Sequence, residues 1–154
     1  MMVHPANDLE RKPIKNFREL VKRYEQFGDK VAFKYKEAKE VKEITYKKFA
    51  EDIKAMAEAL ISINAKRVAV IGNNRYEWCV TYLGTETAGK VIVPLDKALT
   101  DIEIEKLLKR SEVDVVVYEK KYSTAISNVI DQGLQIKYKI CMDNIKDNNI
   151  IQFG

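Results

Sequence analysis

The sequence predicts an α/β protein with a doubly wound, mostly parallel sheet, helices on both faces and an N-terminal β-hairpin. Strand-like and helix-like patterns alternate three times between Arg67 and Ile130, the signature of strands joined by crossover helices. RVAVIG (67–72) is a continuous apolar run without polar alternation, as expected of a strand covered on both faces. Before it, two β-prone stretches flank a charged segment between residues 31 and 46, which reads as a hairpin.

After a polar tail over residues 1–15, Phe17, Leu20, Val21, Tyr24 and Phe27 recur at helical spacing. Gly28 follows where a C-terminal cap sits. Val31, Phe33 and Tyr35 alternate with Ala32 and Lys34, and Ile44 to Tyr46 resumes the β pattern, so KEAKEVKE (36–43) is the expected exposed turn. Thr45 can cap a long helix. Its apolar stripe is Phe49, Ile53, Met56, Ala57, Leu60 and Ile61, opposite Lys47, Lys48, Glu51, Lys54 and Glu58.

The alternation continues with a helix from about Arg75 to Ala88, a strand Val91 to Leu95, a helix Asp101 to Arg110, a strand Val113 to Tyr118 and a helix near Ser123 to Ile130. Thr100 and Glu103 form a capping box for the second of these helices. In the last stretch, Ile136, Tyr138 and Ile140 alternate with Lys137 and Lys139, which suits an edge strand. Pro and Gly are too scattered to mark a linker, so residues 16–154 read as one folding unit.

With 46% hydrophobic and 32% charged residues, the 154-residue chain has a globular balance rather than that of a disordered one. Its 27 basic and 23 acidic residues are interleaved, which argues against a nucleic-acid partner. Cys79 and Cys141 are far apart and lie in no CxxC or Cys/His cluster, so reduced structural thiols are expected, not zinc or a disulfide. No apolar run approaches the ~18 residues of a membrane helix, and MMVHPANDLERKP has no signal-like apolar core, so the default location is cytoplasmic.

Asn73, Asn74 and Arg75 follow a central strand and precede a helix, where doubly wound sheets place ligands. An anion at that helix N-terminus is one reading. Capping by Asn73 or Asn74, with Arg75 paired to a carboxylate, is favoured because it explains the residue types. Asp96 and Lys97 occupy the equivalent point after the next strand, and a loop or cap reading is again favoured. In GTETAG (84–89) no Lys-Ser or Lys-Thr completes a phosphate loop. Close helix-to-sheet packing at Gly84 and a helix C-cap at Gly89 are expected instead. His4, the only histidine, lies in the tail. Trp78, Tyr76 and Tyr82 have helical spacing and read as core more readily than as an aromatic ligand wall.

Several motifs in order carry a resemblance: ITYK (44–47) ahead of EDIKAMAEAL (51–60), then RVAVIGNNRYEW (67–78), then AGKVIVPLDKALTDIEIEKLLKRSEVDVVVYE (88–119). Over about Phe17 to Glu119 the chain resembles the adenylate-forming (AMP-binding) acyl-CoA synthetases, and Glu77-Trp78 makes it most similar to the long-chain fatty acyl-CoA branch. The resemblance implies an enzyme of fatty acid metabolism that uses ATP and Mg²⁺ to convert a carboxylic acid to an acyl-adenylate, then transfers the acyl group to coenzyme A. The family's Thr/Ser/Gly-rich loop ending in Pro-Lys, its adenine and ribose contacts and its C-terminal lysine have no matching positions in this chain.

No catalytic, cofactor-binding or metal residue is therefore assigned. Asn74, Glu77, Trp78, Pro94, Leu95, Thr100 and Glu103 match the family pattern as scaffold. The reading is a truncated N-terminal subdomain of an acyl-CoA synthetase-like enzyme, inactive alone, whose partner is the remainder of the synthetase. Self-association through an exposed sheet face is also expected. The alternative is a stand-alone α/β binding or interaction module without catalysis.

Overall fold

The computed structural model describes residues 13–37, 39–143 and 151–152. His4 and most of the polar tail lie outside them. The chain divides into two compact units, one ending at Asp52 and the other starting at Ile53, a boundary that falls inside helix α2 (Tyr46–Ser62).

In the first unit, helix α1 spans Phe17–Phe27 and is capped by Asn16, whose side chain accepts the Glu19 N–H at 2.9 Å. Glu19 reciprocates by accepting the Lys15 N–H at 2.8 Å. Gly28, at φ 54°, ends the helix as expected and donates its N–H to the Glu25 carbonyl. Strands β1 (Val31–Glu37) and β2 (Glu40–Thr45) form an antiparallel hairpin with a register shift between Val31 and Phe33.

The turn lies within the charged segment 36–43, at Lys39, but is shorter than expected. Lys36 and Glu37 continue β1, and Glu40 to Glu43 begin β2. Directly opposite residues Lys34 and Glu43 pair at 2.6 Å, the cross-strand contact that lets a charged sequence sit in an exposed ribbon. Thr45 caps α2 as predicted, accepting the Lys48 N–H at 3.2 Å. Tyr24, Phe27, Phe33, Tyr46 and Phe49 form an aromatic cluster with ring centroids 4.8 to 5.4 Å apart.

The second unit is built on a sheet in the order β4-β3-β5-β6-β7, every neighbouring pair parallel. Its strands are β3 (Arg67–Ile71), β4 (Val91–Leu95), β5 (Val115–Tyr118), β6 (Tyr138–Cys141) and β7 (Ile151–Gln152). The connecting helices are α3 (Tyr76–Thr87), α4 (Asp101–Ser111) and α5 (Ser123–Asp131), the last preceded by a 3-10 turn at Lys120–Tyr122. Because strand side chains alternate, Ala69 and Ile71 join one cluster with Ile104, Leu108, Ile126 and Val129 of α4 and α5. Val68 and Val70 join the opposite one with Ala57, Leu60 and Ala88. Both faces of the sheet are thus covered, each fully buried aliphatic contributing about 1.5–3 kcal/mol.

Three expectations need correction. β6 pairs with both β5 and β7 and is not an edge. The described edge on the other side is β4, where Val91 is exposed and Pro94, which has no N–H to donate, is tolerated. In α2, Ile61 is exposed and Ala50 takes its place among the buried positions. Gly84 packs against a helix, not the sheet: a Cβ there would lie 2.5 Å from the Met56 Cγ of α2. Gly89 does end α3, at φ 68°, and the Lys90 N–H returns to the Thr85 carbonyl. The Thr100–Glu103 capping box forms in full, and its hydrogen bonds from Thr100 hold the Glu103 carboxyl below its ordinary range.

Candidate functional site

Parallel sheets collect loops, and therefore side-chain chemistry, at the carboxyl ends of their strands. In this sheet the residues after β3, β5 and β6 converge on one polar cluster. Arg75 is its centre. Its Nε and one Nη donate to the two Glu77 oxygens at 2.7 and 2.9 Å, a bidentate pair. The other Nη donates to Asp143 at 2.7 Å, and the Met142 carbonyl is 3.1 Å from the first. Every guanidinium nitrogen is engaged.

Asn73 donates through its amide to both Glu119 oxygens, at 3.2 and 3.0 Å. Glu119 also faces Lys121 at 3.6 Å and Arg75 at 3.8 Å. The Lys120 N–H donates to the second Asp143 oxygen at 2.7 Å, and the Tyr122 hydroxyl donates to the Lys97 carbonyl at 2.9 Å, reaching the β4 loop. Loops after all four of these strands are cross-linked.

Arg75 pairs with carboxylates as expected. Neither Asn73 nor Asn74 caps α3, however: Arg75 is the N-cap residue and gives no side-chain cap. Asn73 is drawn instead to the buried carboxylate across the sheet, a stronger acceptor than a neutral partner. Asp96 accepts the Ala98 N–H at 2.8 Å, the loop role expected of it. Trp78 and Tyr82 stack with centroids 5.4 Å apart, and Trp78 packs on the α2/α3-side cluster. Cys79 and Cys141 are free thiols, both pushed up by burial.

Arg75 and Asp143 reinforce each other's charge. The hydrogen bond that Arg75 donates to Glu77 raises the guanidinium further, outweighing burial, with Asp143 adding to it. Burial works against the Asp143 charge, but the Lys120 N–H and Arg75 hold its carboxyl below the usual carboxylate range. Neither group exchanges a proton near neutral pH, so this pair offers no general acid or base. Among the described residues no group of three or more His, Cys, Asp or Glu could hold a metal ion. The rim acids already serve Arg75, Asn73 and Lys120, so they do not fit a Mg²⁺ site either.

A second cluster sits at the amino ends of the same strands. Asp114, 8% exposed, accepts the backbone N–H of Arg67 at 2.9 Å and of Lys66 at 3.1 Å, with Lys137 at 3.5 Å. Burial opposes its charge, yet the two N–H donors and Lys137 keep its carboxyl depressed. An open cavity of about 390 Å³ lies there, lined by Lys66, Arg67, Glu112, Asp114 and Lys137. It is at the opposite end from where doubly wound sheets hold ligands, and Arg67 is already paired with Glu112 at 2.7 Å. Sequence reasoning misses Glu119, Asp143 and Asp114. The rule that finds Asn73 and Asp96, a polar residue just past an apolar strand, applies equally to the first two.

Residues 20–151 match the protein family described as AMP-binding enzyme. A medium/long-chain-fatty-acid–CoA/3-oxocholest-4-en-26-oate–CoA ligase of Mycolicibacterium smegmatis is 26% identical over 115 residues, covering 73% of this chain and 21% of the relative. A 4-hydroxybutyrate–CoA ligase 2 of Metallosphaera sedula is 29% identical over 125 residues, covering 79% and 22%. The chain therefore spans about a fifth of the length of these curated relatives. Among solved structures, the coronafacic acid ligase of Pectobacterium brasiliense superposes with a TM-score of 0.74 at 21% identity, over 89% of this chain and 28% of that one, a likeness of fold.

Proposed function

This chain belongs to the AMP-binding enzyme family, and we propose that it forms the leading α/β part of an ATP-dependent acyl-CoA synthetase. In the proposed reaction a carboxylate oxygen attacks the α-phosphorus of ATP, giving acyl-adenylate and pyrophosphate. The thiolate of coenzyme A then attacks the acyl carbon and displaces AMP. The carrying observation is the family match over residues 20–151; the names of the two curated relatives support an aliphatic carboxylic acid as the substrate class.

Within that enzyme the residues of this chain act as scaffold. Glu77 anchors Arg75, Thr100 and Glu103 start α4, and Trp78 packs behind the sheet. Catalysis of adenylation rests on electrostatic clamping of phosphates, and the guanidinium at the centre of the rim is held by Glu77 and Asp143. We therefore propose that the 154 residues alone are inactive and that the remainder of the synthetase is their partner, in the cytoplasm. Among the described residues no helix is long and apolar enough to cross a membrane.

A pyrophosphate-release assay with ATP, Mg²⁺, coenzyme A and a panel of fatty acids tests this directly. The expected result is no release by the 154-residue chain and release by a longer protein containing it. Turnover by the short chain would overturn the scaffold reading. The expected self-association through a sheet face has less to rest on, since both faces are packed; the exposed Val91 of β4 supports association through the edge instead, and a clean monomer in sedimentation at high concentration would contradict it.

A further inference from the structure

In the strand order β4-β3-β5-β6, the chain winds from β3 to β4 on one side and returns to β5 on the other. The carboxyl ends of β3 and β5 therefore flank the switch point, the crevice in which sheets of this order hold ligands. Glu119 lies in that position. It follows β5 directly, its N–H donates to the Ile71 carbonyl of β3 at 3.1 Å, and its side chain is only 10% exposed. Gly72, the residue after β3, makes the room: a Cβ there would lie 3.1 Å from the Glu119 Cγ and 3.3 Å from its Cδ.

Among the described residues, the side chains that bond or pair with its oxygens are donors or cations: the Asn73 amide at 3.0 and 3.2 Å, Lys121 at 3.6 Å and Arg75 at 3.8 Å. A carboxylate is the side chain that answers such a set with acceptors alone. We infer that Glu119 is the resident anion of the switch-point crevice, occupying from within the place that a ligand's carboxylate or phosphate would take. The crevice is closed to external anions because its donors already hold one. This goes beyond the proposed synthetase function and does not depend on it.

Two predictions separate an anion from a mere filler of space, and both are read by thermal unfolding of the chain. Glu119→Ala vacates the crevice and leaves Asn73, Lys121 and Arg75 facing it, lowering Tm by roughly 5–10 °C. Acetate, added at constant ionic strength against chloride, should enter and restore about half of that loss through mass action, while leaving the wild type unmoved. Absence of an acetate-specific recovery, or an equal gain in the wild type, overturns the proposal. Should Glu119→Ala fail to fold, the pair Glu119→Asp and Glu119→Gln decides. Asp keeps charge and loses length, whereas Gln keeps shape and turns an N–H toward donors. A higher Tm for Asp than for Gln is expected; Gln matching or exceeding Asp overturns the resident-anion assignment.

Discussion

The two ends of the parallel sheet are fastened differently. At the amino end one buried carboxylate, Asp114, takes backbone N–H groups from Lys66 and Arg67 of the neighbouring strand entrance. At the carboxyl end side-chain pairs predominate, with Arg75 joined to Glu77 and Asp143 and Asn73 joined to Glu119, beside single backbone contacts such as the Lys120 N–H on Asp143. An acceptor for backbone donors fixes register and leaves nothing to replace it when removed. Side-chain pairs, with Arg75 29% and Asp143 36% exposed, are partly solvated and open to screening by salt. The polar end that looks most like a binding site is thus the more forgiving of the two fastenings.

Asp114→Ala should have the largest effect of these fastening variants, because it orphans the Lys66 and Arg67 N–H groups at a position 8% exposed. A loss of about 3 kcal/mol in denaturant unfolding is expected; a loss below about 1 kcal/mol would erase the distinction between the two ends. Arg75→Met should cost about 2 kcal/mol at low salt, and the gap to wild type should narrow as salt is raised. The Asp114→Ala gap should not. Equal salt sensitivity of the two variants would break the comparison.

Gly72→Ala should cost about 1 kcal/mol, since its methyl presses on the Glu119 stem; no change in Tm would mean that Glu119 shifts freely. The smallest effect near neutrality is that of pH. Asp114 and Asp143 are both depressed when folded, so the stability they contribute is fully present above the ordinary carboxylate value of about 4. It is lost as pH falls through their lower folded values. The gap between wild type and Asp114→Asn should accordingly shrink only below about pH 4; a gap that shrinks at higher pH would contradict the depressed carboxyl.

What is legible in the sequence follows from what is local. Gly28, Gly89, Thr45 and the Thr100–Glu103 box act within a few residues, and RVAVI shows its two-sided burial as an unbroken apolar run. The sheet edges mislead for a non-local reason. The lysine alternation of β6 reads as edge, although β7, ten residues later, pairs with it. The hairpin's charged strands stay hidden because Lys34 and Glu43 support each other only once paired. Likewise Arg75 is visible as a strand-end residue, but its partner Asp143 lies 68 positions away.

On the proposed scaffold role, Arg75 and Asn73 of the carboxyl rim are held by its own carboxylates, and no nucleotide is expected to bind there. Calorimetric titration of the 154-residue chain with Mg²⁺-ATP tests it most directly. No saturable heat is expected into the millimolar range, which corresponds to binding weaker than about −4 kcal/mol. Saturable binding in the micromolar range that disappears in Arg75→Met would contradict it, by showing that the rim holds a nucleotide after all.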